Sequence, residues 1–188
     1  MQKSKLQLKI QNLIETIRCQ CGFTLIELLV AIAVLGIVAG ALFSAINPAK
    51  RIGQANDSKR KTDLAQIQKA LEQFYQDNNG KYPTNPPTSG DYRIVGFDGP
   101  IGWGENWRGY MNVLPSDPNA VKQYVYVTLS NGQSYRLYAS LDLGGNDSQA
   151  CFPSGTECLG ATGISCCVGG SKNCGVCNYG VTSPNITP

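Results

Sequence analysis

Hydrophobic and polar positions divide the chain into stretches of different character. Residues 28–46 read LLVAIAVLGIVAGALFSAI, 19 positions without a charge. A helix of that length rises about 29 Å, enough to cross the hydrocarbon core of a bilayer. Residues 50–61 then turn polar and basic, with Asp57 as their one acid. From 62 to 79 apolar residues return at helical spacing, as Leu64, Ile67, Leu71, Phe74 and Tyr75. Asn78-Asn79-Gly80 is a C-cap signal, and Pro83 lies just beyond it. The simplest reading is one long helix from about Thr24 to Asn78, membrane-embedded at its start and packed on a domain at its end. Pro48 removes a backbone hydrogen bond and Gly36, Gly40 and Gly53 weaken others, so a kink or local melting is expected near 46–53.

Beyond Gly80 the helical period is lost. Residues 81–121 are rich in Pro and Gly and read as loop, with one short strand at Tyr92–Val95. Residues 122–129 and 134–141 alternate in polarity and are rich in Tyr and Val, with Asn131-Gly132 between them, which predicts a β-hairpin. Residues 142–188 are rich in Gly, Ser and Cys, and no internal repeat is evident. At 188 residues the chain suits one globular domain with an appendage. The expected class is α+β, a long N-terminal helix packed on a small antiparallel sheet, with a disulfide-rich C-terminal tail.

Charge sharpens this division. The formal net charge is +3, and residues 1–22 carry all of it, with Lys3, Lys5, Lys9 and Arg18 against Glu15. The rest of the chain is balanced but polarised. Glu27 gives −1 in residues 23–46, residues 47–61 give +4, and residues 62–188 give −3. A basic collar beside an acidic head suggests that neighbouring subunits are placed by charge complementarity, an effect screened by salt where exposed. The excess of positive charge lies outside the expected fold, which argues against nucleic-acid binding. The chain has no His, which excludes Ser-His-Asp and Cys-His catalysis and His-ligated metal. No pair of acids is placed convincingly for acid/base work, so an enzyme is not expected.

Glu27 heads the apolar run, where a carboxylate costs about 2.5–3.5 kcal/mol on insertion scales at a helix centre. Such a group needs a partner. Cutting the chain after Gly22 creates an α-amine on Phe23, four residues before Glu27, which could neutralise it within a chain or between chains. Gly22 suits a protease subsite that admits only a very small side chain. An ordinary secretory signal fits poorly, because the run is long, Glu27 heads it, and cleavage after Ala45 puts Phe43 where a small residue is wanted. A plain single-pass anchor fits the length but not the placement of Gly22, Phe23 and Glu27.

The stretch GFTLIELLVAIAVLGIVAG resembles the class III signal of type IV prepilins and type II secretion pseudopilins, over roughly residues 22–46. The resemblance implies cleavage between Gly22 and Phe23 by a membrane aspartic prepilin peptidase, N-methylation of Phe23, and a role for Glu27 in assembly. The leader is long, and Cys21 rather than Lys or Arg precedes the glycine. A looser resemblance covers most of residues 62–147. ALEQFYQDNNGKYP, LPSDP, QYVY and SLDLGGND are similar in order to the major pseudopilin of type II secretion. Related type IV pilins share the same start.

The implied organisation is a cytoplasmic leader at 1–22, a transmembrane and filament-core helix at 23–46 and an amphipathic second half at 47–80. A globular head follows at 81–147 and a Cys/Gly-rich tail at 148–188. The implied function is that of a structural subunit of a type IV pilus or type II secretion pseudopilus. It would start as a single-pass precursor in the bacterial inner membrane, held by lipid. It would then join a helical homo-polymer at the cell surface or in the periplasm, C-terminal domain outside. Implied partners are further copies of the chain, the prepilin peptidase, an inner-membrane platform protein and an assembly ATPase. The alternative is a membrane-anchored surface binding module that does not polymerise.

The corresponding loop of the major pseudopilin binds calcium, which makes Asp142, Asn146 and Asp147 candidate calcium ligands. The D-x-x-x-N-D spacing is too short for an EF-hand, and an ordinary Asx turn is the competing reading. Cys151, Cys158, Cys166, Cys167, Cys174 and Cys177 form an even set in a tail expected outside the membrane, which favours disulfides. Six cysteines allow 15 connectivities, and a zinc site from Cys166-Cys167 with Cys174-x-x-Cys177 competes. Cys19 and Cys21 fall in the leader and would stay reduced. Phe97, Trp103, Trp107 and Tyr110 are expected to pack their loop on the sheet, against the alternative of a ligand surface. Asn56, Asn146 and Asn185 match N-x-Ser/Thr, a pattern without information in a bacterial-type protein.

Overall fold

The computed structural model describes residues 22–45, 47–151, 153, 155–170, 173–184 and 186. The leader through Cys21, with Cys19 and Cys21, lies outside the described residues, as does Asn185. The chain divides between Asn47 and Pro48 into two units, which are taken in turn.

The first unit contains helix α1, Leu25–Ala45. Thr24 starts it. The Thr24 hydroxyl accepts a hydrogen bond from the Glu27 amide at 3.2 Å, and the Thr24 carbonyl accepts one from the Leu28 amide at 3.2 Å. This is an N-cap with the T-x-x-E spacing of a capping box, and Glu27 also meets the positive end of the helix dipole. All side chains from Gly22 to Leu42 are exposed. The 21-residue helix is about 31 Å long, and its window 25–42 is apolar enough to cross a membrane.

The second unit begins with helix α2, Pro48–Asp77. The single helix expected from Thr24 to Asn78 is therefore assigned as two. The reason is Pro48, which has no amide proton to give and is well placed in a first turn. Gly53 does not contribute to the interruption and lies inside α2. At the other end the Gly80 amide donates to the Tyr75 carbonyl at 3.0 Å, and Asn79 adopts φ +56°. This is a Schellman closure, at the place the Asn-Asn-Gly signal predicts.

The buried positions of α2 step through Gly53, Asp57, Arg60, Leu64, Ile67 and Leu71. Leu64, Ile67 and Leu71 are inaccessible to solvent and pack with Tyr82, Ile94, Leu114, Tyr124, Tyr126 and Leu137. Each such side chain contributes roughly 1.5–3 kcal/mol by leaving water.

The Pro- and Gly-rich stretch holds a small hairpin, β1 (Ile94–Gly96) against β2 (Gly99–Ile101). Its first strand starts two residues later than the Tyr92 predicted. The main sheet has the order β3-β4-β5, all antiparallel. Strands β3 (Val125–Leu129) and β4 (Ser134–Ala139) form the predicted hairpin, paired from Val125↔Tyr138 to Leu129↔Ser134. Its turn contains Ser130, Asn131 and Gly132, all with positive φ. Glycine is required at 132, because a Cβ there would stand 2.9 Å from the Tyr82 carbonyl oxygen.

Strand β5 (Tyr179–Thr182) comes from the Cys-rich tail, where no strand was expected. The sheet alternates as a two-sided sheet must. Tyr124, Tyr126, Tyr135, Leu137 and Ala139 belong to the core shared with α2, while Val125 and Tyr138 pack with Cys158, Ala161, Cys166 and Cys177. The tail is thus a covering layer for the second face. Three disulfides fix it, Cys151–Cys158, Cys166–Cys177 and Cys167–Cys174. They separate Cys166 from Cys167 into different bridges, which removes the zinc alternative.

Three of the four loop aromatics pack as expected. Trp107 lies 5.8 Å from Phe74 and 5.1 Å from Tyr110, and Trp103 meets Tyr124 edge-on at 5.7 Å. Phe97 stays 71% exposed at the β1–β2 turn.

Candidate functional site

The candidate processing junction precedes α1. Gly22, Phe23 and Thr24 lie outside the helix, and the position of a Cβ on Gly22 is open. Phe23 is 81% exposed. An accessible, non-helical backbone before a capped helix is what a protease needs to reach a peptide bond. Thr24 is the residue that a sequence reading passes over. The T-x-x-E spacing was the available signal. Its cap sets where the helix begins, and so fixes Glu27 in the first turn.

A second candidate region lies on α2 and the loops packed on it. Arg60 is completely buried and anchors three carboxylates. Its Nε and Nη2 donate to Asp117 at 2.8 and 3.0 Å, and its Nη1 meets Asp57 at 2.8 Å and Asp142 at 2.9 Å. Asp57 in turn accepts the backbone amides of Asp142 and Leu143, at 2.7 and 2.8 Å. Burial works to lower the Arg60 pKa, but Asp117 and Asp142 outweigh it and push it up, so the guanidinium stays charged. The cluster ties α2 to the L-P-x-D-P loop and to the loop after β4 at one point.

Lys59 pairs with Asp63 at 2.6 Å, and Asp63 also accepts the Tyr124 hydroxyl at 2.7 Å. Lys61 pairs with Asp147 at 2.5 Å. Three of the five basic residues between 50 and 61 are thus neutralised inside their own subunit. The expectation of a basic collar kept for neighbouring subunits is corrected accordingly. The acids of the head, Asp117, Asp142 and Asp147, are the collar's own partners.

Asp142, Asn146 and Asp147 are placed on the same loop, whose centre Gly144–Asn146 forms a 3-10 turn. Burial acts to raise the Asp142 carboxyl, but Lys122 and Arg60 hold it below the usual carboxylate range. Lys61 does the same for Asp147. Asn146 lines a polar cleft of about 440 Å³ together with Lys61 and Asp147. Gly144 and Gly155 serve close packing. A Cβ on Gly144 would meet the Asn178 amide at 2.4 Å, and a Cβ on Gly155 of the tail would meet the Gly145 backbone at 2.7 Å. Among the described residues, no group of three or more acidic or Cys side chains is placed to hold a metal ion.

Arg60, Asp57, Asp117 and Lys122 are the residues that sequence reasoning missed here. The available signal was the buried stripe itself. Continuing the Leu64, Ile67, Leu71 spacing backwards lands on Arg60, Asp57 and Gly53.

Two family profiles match the chain. "Prokaryotic N-terminal methylation motif" covers residues 17–43, and "Type II secretion system (T2SS), protein G" covers residues 47–151. The chain is similar to the type II secretion system core protein G of Pseudomonas aeruginosa, with 32% identity over 139 residues, 71% of this chain and 93% of that one. It is similar to the protein of the same name from Aeromonas hydrophila, with 33% identity over 110 residues, 54% of this chain and 68% of that one. The Escherichia coli protein is 28% identical over 121 residues, 64% of this chain and 81% of that one. No solved structure matches the chain significantly.

Proposed function

The chain belongs to the type II secretion system protein G family, structural pseudopilins, and from that premise we propose how its own residues make it a filament subunit. The precursor is held in the bacterial inner membrane by α1 and is cut between Gly22 and Phe23 by a prepilin peptidase. The new α-amine on Phe23 becomes methylated. The mature helices leave the bilayer and stack as the core of a helical homo-polymer, with the C-terminal domain outside. A platform protein and a cytoplasmic ATPase drive this step, since the chain carries no nucleotide motif.

The observation that carries the reading is the state of α1. Its side chains from Leu25 to Leu42 are all exposed, and Glu27 is the only charge among them. Such a surface must be covered by lipid or by other helices. Exchanging one for the other changes little apolar hydration, so Glu27 gains importance. In a helical core, an unpaired carboxylate is penalised, and the Phe23 amine of a neighbouring subunit relieves it. Stacks in the wrong register leave both charges unpaired, so the pair sets register as well as stability.

The test is Glu27→Ala. The variant should be cleaved after Gly22 as the wild type is, and electron microscopy of sheared surface fractions should show few or no filaments. Filaments of normal length and abundance would count against the mechanism. Sequencing the mature N-terminus should give methylated Phe23.

A further inference from the structure

Calcium is the ion that the family resemblance implies for the loop after β4, and the residues present do not fit it. A calcium site needs six to eight oxygen ligands left free to converge on one point. Here the carboxylate oxygens are already committed. Asp142 Oδ1 accepts from the Lys122 ammonium at 2.5 Å and Oδ2 from the Arg60 guanidinium at 2.9 Å. Asp147 Oδ2 accepts from Lys61 at 2.5 Å and Oδ1 from the Gln149 amide at 2.9 Å. The Leu143 and Gly144 carbonyls accept the Asn146 and Asp147 amides within the 3-10 turn. A dication brought to this loop would meet three fixed positive charges.

Lys122 is the informative residue. Its side chain is 5% exposed, which for a lysine demands a reason. The ammonium donates to the Ser140 carbonyl at 3.0 Å as well as to Asp142. Lys61 repeats the arrangement between the Asp147 carboxylate and the Gln149 side-chain oxygen at 2.9 Å. Each ammonium thus sits between a carboxylate and a neutral oxygen, the kind of donor set a hard cation takes. Gly144 against Asn178, and Gly155 against the Gly145 backbone, hold the loop from the tail side.

We propose that Lys122, with Lys61 and Arg60, is the resident cation of the loop at Asp142–Asp147, and that the head of this subunit is ordered without calcium. The proposal concerns the head alone and stands whether or not the subunit polymerises as described above. The test uses the full-length protein in detergent, with thermal unfolding followed by circular dichroism. Wild-type protein should melt at the same temperature in excess EGTA and in millimolar calcium chloride. A site filled to about 100 times its Kd would instead raise the midpoint by several degrees. Lys122→Gln should lower the midpoint by roughly 5 °C or more, because it leaves Asp142 short of one of its two cations, and Lys122→Arg should restore most of the loss. A calcium-dependent midpoint in the wild type, or a Lys122→Gln protein that melts with the wild type, would overturn the proposal. Should Lys122→Gln fail to accumulate, the wild-type titration decides alone.

Discussion

Helices α1 and α2 treat water in opposite ways. On α1 the apolar side chains are outside, and Leu25, Ile26 and Ile37 are more than two-thirds exposed. On α2 a charged side chain is inside, and Arg60 is as inaccessible as Leu64. The difference shows two uses of one geometry. A helix whose apolar residues cover its whole circumference has no preferred face, so it can pass from lipid to helix neighbours without refolding. A helix with one buried stripe is committed to one partner surface. Where that stripe becomes polar, at Asp57 and Arg60, it is held by geometry that only matched carboxylates supply.

The contrast can be broken from either side. The largest effect on folding should come from Arg60→Ala. Removing it leaves Asp57, Asp117 and Asp142 without their shared partner, and loss of a buried ion partner costs roughly 3–5 kcal/mol. Urea unfolding should show this as a lower midpoint, while α1 still inserts in membranes. Loss of any one tail bridge should follow in size. Bridges of 7, 11 and 7 residues each contribute roughly 2–3 kcal/mol in the chain-entropy view, so a paired Cys→Ser variant of one bridge should lower the melting temperature by less than Arg60→Ala does.

Acid should have a graded effect. The Asp142 and Asp147 carboxyls titrate below their usual range when folded. They therefore stabilise the fold fully above the unfolded value of about 3.9, and that contribution is lost as pH falls through the lower folded values. Unfolding midpoints should drop below about pH 4, and Lys122→Gln should flatten the drop. The smallest effect should be Thr24→Ala, which removes a cap worth about 1 kcal/mol. It should fray the first turn of α1, read as faster amide exchange at Glu27, and leave the midpoint of the head unchanged.

Much of this architecture was legible from periodicity. The apolar run became α1, the Asn78-Asn79-Gly80 signal became a C-cap, and Asn131-Gly132 became the turn of a hairpin. Those features are local, with their cause within a few residues of their effect. Strand β5 was not legible, because Tyr179–Thr182 is four residues long and is a strand only by pairing with β4. The buried charges were not legible either. Lys59, Arg60 and Lys61 are consecutive and alike in type, yet one is inaccessible and another has half its side chain in water. Helix phase makes that difference, together with carboxylates 57 to 86 positions away.

By itself the sequence determined the helix that can live in lipid, marked Gly22–Phe23 as the candidate processing junction, and placed the single carboxylate, Glu27, at the head of that helix. Each of these follows from residues close together in the chain, where spacing alone sets chemistry. Only the tertiary structure decided that Lys59, Arg60 and Lys61 are paired within the subunit, that the cysteine tail forms the second layer of the sheet, and that lysines pair with the carboxylates a calcium ion would need. Those outcomes depend on which distant groups the fold brings within hydrogen-bond distance. The attraction of a buried charge to its partner is strong at 3 Å and costly to lack, so the partner, not the charge, is what the chain had to fold to specify.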